Sequence, residues 1–286
     1  MSPRPSLAPA PSPEVVARRV EEVWRRVRAT GRDPATVRLV AVTKGFDAAA
    51  VTAALAAGVA DIGENYAAEL VSKAALLSGA APAAGDAARD GPGSGGARDD
   101  VGDDAAGAAG GGGSRPRPRW HFLGAVQRRR VRDLADVVGW WQTLARVVEG
   151  EAIAARAPGA RVLVEVDVSG LVGRNGCPPV SVPGLVRSLR GMDLDVRGLM
   201  VVAPPGPAEV ARAAFRTTAG LAADLGLGEL SMGMTQDLEV ALEEGATMVR
   251  VGRALFGPRP GADPGQREIT GDATGPGAVP GSSPWS

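Results

Sequence analysis

The chain has 286 residues, a formal net charge of zero, one cysteine (Cys177) and one histidine (His121). Balanced charge gives no reason to expect a nucleic-acid or membrane partner, and one cysteine excludes an internal disulfide framework. One Cys and one His cannot make a Cys/His zinc cluster, so no metal is expected. No basic-then-apolar leader opens the sequence and no apolar run is long enough to span a bilayer; a cytoplasmic protein is expected.

Three stretches look unable to bury enough apolar surface to offset their ordering entropy. Residues 1–12 are Pro- and Ser-rich, residues 79–118 are almost wholly Gly, Ala, Asp, Arg, Pro and Ser, and residues 258–286 are Gly/Pro-rich without hydrophobic periodicity. They read as two disordered tails and a disordered insertion. The remainder, a domain over 13–257, holds about 205 residues without the insertion, near the lower limit for an eight-stranded α/β barrel.

Ser12-Pro13-Glu14 opens a helix, with Pro at its first position. Val16, Val20, Val23, Trp24 and Val27 fall on one face of it, and Gly31 ends it. A buried strand over 39–43 follows, then a helix over 47–57 closed by Gly58, a short strand over 59–63 and a helix over 66–77. After the insertion come a strand over 120–123, a helix over 126–134, a strand over 136–141 and a helix near 144–156. Strand 161–168 leads into a polar Gly/Pro loop over 169–178. The chain continues as helix 182–190, strand 196–202, helix 207–225, strand 229–231, helix 236–244 and strand 247–251. Eight strands alternating with helices predict a parallel (β/α)8 barrel of TIM type, with an open doubly wound sheet as runner-up. No G-x-G-x-x-G follows the first strand, which disfavours the dinucleotide-binding form of that sheet.

Lys44 ends the first strand, where parallel α/β folds place their chemistry. Lys44 and Lys73 are the only lysines; every other basic residue except the histidine is arginine. Arginine stays protonated, whereas a lysine amine can lose its proton and attack a carbonyl. Lys44 is therefore a Schiff-base candidate, against the plain reading of a lysine snorkelling to solvent. Lys73 reads as solvated helix surface. The seventh strand ends in Ser231-Met232-Gly233-Met234 and the eighth in Gly252-Arg253, both before helical turns. Glycines and helix N-termini there can hold a phosphate, or be ordinary turn glycines.

Arg250 lies inside the last strand, on a face with Met248 and Gly252. Buried, it needs a partner: Asp61, Glu165, Asp167 or a ligand. Asn65 is read as a helix cap in preference to a ligand contact. His121 either stacks on a ring or belongs to the core. Arg128, Arg129, Arg130 and Arg132 form a solvated basic face. Cys177 is left open as reactive or inert.

Several segments now carry a resemblance: Val40-Ala41-Val42-Thr43-Lys44, Gly63-Glu64-Asn65-Tyr66, Trp120-His121-Phe122-Leu123-Gly124 and Gly198-Leu199-Met200. Leu230-Ser231-Met232-Gly233-Met234-Thr235 and the run from Val249 to Gly257 complete it. In this order they resemble the pyridoxal phosphate homeostasis protein family, single-domain relatives of alanine racemase. The resemblance implies pyridoxal 5'-phosphate (PLP) held as a Schiff base on Lys44. It places Ser231, Gly233, Gly252 and Arg253 at the phosphate, Asn65 near the cofactor, Arg250 at the pyridine nitrogen and Met200 along the ring pocket. The expectation is a monomer that handles PLP without catalytic residues, with PLP-dependent apoenzymes as candidate partners.

The chain departs from the family pattern at Arg129 and Arg130, at Gln142 and at Asp167. The competing readings are an amino-acid racemase and a phosphosugar aldolase or isomerase. Racemisation wants a second base, yet Tyr66 is the only tyrosine, and Arg250 at the pyridine nitrogen would weaken the ring as an electron sink. The aldolase reading wants an acid/base pair at the barrel mouth, for which Asp61, Glu165 and Asp167 are candidates.

Overall fold

Eight short apolar runs form eight parallel strands that close on themselves. The computed structural model describes residues 7–79, 116–171 and 173–258; the expectations made for 1–6, 80–115 and 259–286 lie outside these. The strands are β1 (Arg38–Val42), β2 (Asp61–Glu64), β3 (Arg119–Phe122), β4 (Val138–Leu144), β5 (Arg161–Val166), β6 (Asp195–Val201), β7 (Glu229–Ser231) and β8 (Met248–Val251). They pair in chain order, and β8 returns to β1 with Leu39 opposite Val249 and Val40 opposite Arg250. The sheet is a closed barrel and the open-sheet alternative is set aside.

Helices cover the outside: α1 (Pro13–Ala29), α2 (Ala48–Ala56), α3 (Ala67–Ser78), α4 (Arg128–Leu134), α5 (Val147–Ala154), α6 (Val182–Arg190), α7 (Ala208–Asp224), α8 (Leu238–Glu243) and α9 (Arg253–Phe256). α1 buries Val16, Val20, Val23 and Val27, the face its periodicity predicted, and a bidentate Arg26–Glu239 pair at 2.6 and 2.8 Å ties it to α8. The larger apolar cluster lies between helices and barrel, and a smaller one fills the barrel with Val40, Trp140, Leu163, Met200 and Met248.

Two expectations need correction. The fourth strand begins at Val138 and runs to Leu144, so the helix after it starts only at Val147. Gln142 and Thr143 disguised the strand as a loop; both are buried, with Gln142 bonded to His121 and Ser231, and Thr143 to the Gly124 carbonyl. The N-terminal boundary also moves. Ala8 is buried and pairs with Phe46: its amide donates to the Gly45 carbonyl at 2.9 Å and its carbonyl accepts from Asp47 at 2.9 Å. The chain is thus pinned beside the Lys44 turn several residues before α1.

Candidate functional site

Lys44 follows β1 by two residues and sits half-buried in the turn to α2. Asn65 follows β2, Met200 lies near the end of β6, Ser231 ends β7 with Gly233 just beyond, and Arg250, Gly252 and Arg253 span the end of β8. In the closed order β6, β7, β8, β1 and β2 are consecutive neighbours. All eight residues singled out from the sequence therefore occupy one arc at the carboxyl end of the barrel, the end that carries function in this architecture.

The turn bearing Lys44 is held from α3. Lys73 is not solvated surface: it is 1 % exposed. Its ammonium donates to the Thr43 carbonyl at 2.8 Å and to Glu64 Oε1 at 2.5 Å, and reaches Glu69 Oε2 at 3.5 Å. The Thr43 hydroxyl donates to the same Glu64 oxygen at 2.5 Å, and the Gly45 amide donates to Glu69 Oε2 at 2.8 Å. Burial pushes the Glu64 carboxyl upward, and the Lys73 ammonium and Thr43 hydroxyl oppose that shift. The signals available in the sequence were the rarity of lysine and the Glu69–Lys73 spacing of four, which puts both on one helix face. Asn65 is not the helix cap: Tyr66 occupies that position without a side-chain cap bond. Gly124 lets the Asn65 loop approach, since a Cβ there would stand 1.9 Å from the Asn65 carbonyl oxygen.

The loops after β7 and β8 interlock. Gly233 has φ +91°, and a Cβ on it would lie 2.5 Å from the Ala241 Cβ. Its carbonyl accepts from the Arg250 amide at 3.0 Å, and the Thr235 hydroxyl accepts from the Ala254 amide at 3.3 Å. Gly252 packs against the end of β1, with room for a Cβ only 3.1 Å from the Val42 carbonyl. The first amides of α9 have no intrahelical acceptor, and Arg253 is exposed beside them.

Arg250 hydrogen-bonds none of the carboxylates considered for it, and Glu165 acts on it only through space, as one charge on another. Its guanidinium donates to the Ser231 carbonyl at 2.7 Å, the Ser231 hydroxyl at 2.8 Å and the Val201 carbonyl at 2.8 Å. Burial pulls it down to about 10, so it is cationic at neutral pH. The Ser231 hydroxyl in turn donates to Gln142 Oε1 at 2.6 Å. The hydroxyl is thus engaged on both sides, by Arg250 and by Gln142, at the residue the resemblance places at the phosphate. Met200, 3 % exposed, sits between Glu165 and Ser231 in register and packs in the barrel interior.

His121 belongs to the core. It is fully buried, stacks on Trp140 at 5.8 Å, and bonds Asp61 at 2.8 Å and Gln142 at 2.6 Å. Burial lowers its pKa despite Asp61. The donor pattern assigns a neutral ring whose Nε2–H donates to Asp61 while Nδ1 accepts from the Gln142 amide.

Asp61 begins β2 and so lies at the opposite end from Lys44. Burial alone would raise its carboxyl, but bonds from His121 and Arg119 outweigh this and hold it well below the usual range. Asp167 caps its own turn, accepting from the Ser169 amide and hydroxyl. Glu165 alone of the three is a buried titratable group towards the mouth; it accepts from Asn175, and burial raises it to about 7. Cys177 is buried with its thiol pushed up, which fits the inert reading. Arg128, Arg129, Arg130 and Arg132 are exposed on α4, as expected. Among the described residues no group of His, Cys, Asp and Glu could hold a metal ion, and no helix is long and apolar enough to cross a membrane.

This barrel, with its lysine at the end of β1 and glycine loops after β7 and β8, is of the alanine racemase N-terminal type: the profile of "Alanine racemase, N-terminal domain" matches residues 17–260. A "Pyridoxal phosphate homeostasis protein" of Pseudomonas aeruginosa is 36 % identical over 256 residues, covering 85 % of this chain and 96 % of that one. Its namesake from Deinococcus radiodurans is 35 % identical over 233 residues, covering 79 % and 91 %. Among solved structures, PipY of Synechococcus elongatus PCC7942 with PLP bound has TM-score 0.65 and 27 % identity, covering 85 % of this chain and 100 % of that chain. The chain belongs to the pyridoxal phosphate homeostasis protein family.

Proposed function

We propose that this protein binds PLP through Lys44 and serves intracellular PLP homeostasis as a carrier without robust turnover. The observation that carries this reading is the convergence of a half-buried lysine, a buried arginine and two interlocked glycine loops on one arc of the barrel mouth. These groups match the three features of PLP: an amine for the aldehyde, backbone amides with an exposed arginine for the phosphate, and a donor for the ring nitrogen. When bound, PLP supplies an aldehyde that forms a reversible Schiff base with a lysine.

The roles of this chain's residues follow from their chemistry. Lys44 supplies the amine. Gly233, Gly252 and Arg253 receive the phosphate, where the close backbone approach that glycine permits is needed. Arg250, fixed by Ser231 and Val201, donates towards the ring nitrogen and, as a cation, keeps a proton off it. Met200 packs beneath the ring and Asn65 flanks it with an amide that is not used for capping. Arg250 therefore leaves the ring a weaker electron sink than an acidic partner at the same nitrogen would.

Racemisation would need a second base, and the one tyrosine, Tyr66, stands 47 % exposed at the start of α3. The aldolase reading loses its carboxylate pair, because Asp61 is at the far end of the barrel and Asp167 is held in its own turn. The family's name for its members supports the homeostasis role, and PLP-dependent apoenzymes are the candidate recipients of the cofactor.

The test is the absorbance of purified protein titrated with PLP, compared with Lys44→Ala. A band at roughly 420 nm is expected for the wild type, absent from the variant and fixed to the Lys44 peptide by borohydride. A folded wild-type protein without the band would sink the proposal. Racemase assays on the same sample should show no turnover above background; robust turnover would exclude the carrier role.

A further inference from the structure

Lys73 is a costly residue to keep where it is. A fully buried ion pair is weak evidence for stability, because desolvation offsets the attraction. Yet this arginine-rich chain places one of its two lysines there. A compact ammonium with three donors suits three convergent acceptors, which the flat guanidinium fork does not. Those acceptors are the Thr43 carbonyl, Glu64 and Glu69.

The contacts fall on the two peptide groups that flank the Lys44 Cα. The Thr43–Lys44 peptide is held by its carbonyl at 2.8 Å from Lys73. The Lys44–Gly45 peptide is held by its N–H at 2.8 Å from Glu69. Lys73 joins the two arms through its 3.5 Å contact with Glu69, and Glu64 anchors the first arm by accepting from both Lys73 and the Thr43 hydroxyl. Planar peptides leave only φ and ψ soft at each residue, so holding both neighbouring planes fixes the direction in which the Lys44 side chain leaves the backbone. The next carbonyl, that of Gly45, is taken by the Ala8 amide at 2.9 Å.

We propose that Lys73, Glu64 and Glu69 form a clamp that positions Lys44, presenting its amine to the aldehyde of the ligand in the barrel mouth. The proposal rests on the reading of Lys44 as the PLP lysine. These are positioning residues that act through the Thr43 and Gly45 backbone. Their effect is preorganisation: the loop is ordered before the ligand arrives, so less conformational entropy is lost on binding.

The experiment uses the full chain as wild type, Lys73→Met, Glu69→Ala and Glu69→Gln. Amide hydrogen exchange over residues 43–46 is measured without PLP, and PLP binding is followed by the lysine-linked absorbance band with borohydride trapping. Lys73→Met and Glu69→Ala are expected to speed exchange at Gly45 and weaken apparent PLP affinity about tenfold. Glu69→Gln keeps an oxygen for the Gly45 amide and should stay within about threefold of wild type. If Lys73→Met does not fold, the partly exposed Glu69 pair carries the test. Folded Glu69→Ala that captures PLP on Lys44 as tightly as wild type would overturn the clamp, as would Glu69→Gln no better than Glu69→Ala. A wild type without the band overturns the cofactor reading and the clamp's purpose together. That failure is recognisable because the exchange measurement, which needs no cofactor, still separates the variants.

Discussion

The two ends of the barrel are built from the same eight strands and solve opposite problems. At the amino end, Trp140 plugs the interior, with the Arg38 and Arg161 guanidinium groups 5.0 and 5.6 Å from its ring centre and His121 stacked on it. Asp61 and Arg119 complete a salt-bridged rim around His121. At the carboxyl end the side chains give way to glycine loops, backbone donors and a lysine on a braced turn. The closed end satisfies its polar groups among themselves and through Gln142, which links His121 to Ser231 and Arg250 above. The open end keeps close-approaching glycine loops and, in Glu165, a buried carboxyl raised towards neutrality.

Emptying the plug should separate the ends most sharply. Trp140→Ala removes the largest interior side chain at the closed end and strands two arginines, and should cost about 3–5 kcal/mol of stability. Urea unfolding would show a lower midpoint with an unchanged slope, while the folded fraction still captures PLP on Lys44. A folded Trp140→Ala protein with full stability and no lysine-linked band would mean that the two ends are not separable.

The same contrast explains what was legible in the sequence. Strand order, helix faces and the Lys44, Gly233 and Gly252 positions followed from periodicity, glycine placement and the family resemblance, because each is a local signal. The hydrogen-bond partners of Arg250 were not legible: alternation indicated that it faced inward and Glu165 was among the carboxylates considered, but the acceptors that hold the guanidinium are the Ser231 and Val201 carbonyls, which no side-chain pattern announces. Lys73 was misread because amphipathic spacing does not distinguish a solvated lysine from one folded under a neighbouring turn. Gln142 and Thr143 hid the second half of β4, since polar residues inside a barrel break the apolar run on which strand recognition depends.

Titration offers a second way to tell the ends apart. At the closed end, the depressed Asp61 carboxyl contributes stability present above its unfolded pKa near 3.8 and lost as pH falls through the folded value. At the open end, Glu165 is raised from 4.5 to about 7. Its contribution is fully present below 4.5 and is lost as pH rises through about 7, an effect of at most about 3 kcal/mol. His121, lowered by burial, runs the other way, losing stability as pH falls below its unfolded value. The difference between wild type and Glu165→Gln therefore isolates the mouth. Urea unfolding between about pH 5 and pH 8 should show the variant gaining on the wild type as pH rises. A constant difference would show that Glu165 titrates normally in the folded protein.

The smallest contrast is between two glycines. Gly139, near the start of β4, has its nearest neighbour 3.7 Å from an added Cβ and no positive φ. Gly139→Ala should therefore change stability by no more than about 0.5 kcal/mol. Gly233 at the mouth has φ +91° and an Ala241 Cβ at 2.5 Å. Gly233→Ala should cost about 1–3 kcal/mol in backbone strain and push the loop after β7 away from the one after β8. Because the Gly233 carbonyl holds the Arg250 amide, the displacement also reaches Arg250, the residue proposed to face the ring. PLP affinity should fall in Gly233→Ala while borohydride still fixes the remaining bound cofactor to Lys44, since that turn is braced independently from α3. If Gly233→Ala bound PLP as tightly as Gly139→Ala did, the loop after β7 would be a turn and nothing more, and the phosphate would have to be held by the loop after β8 alone.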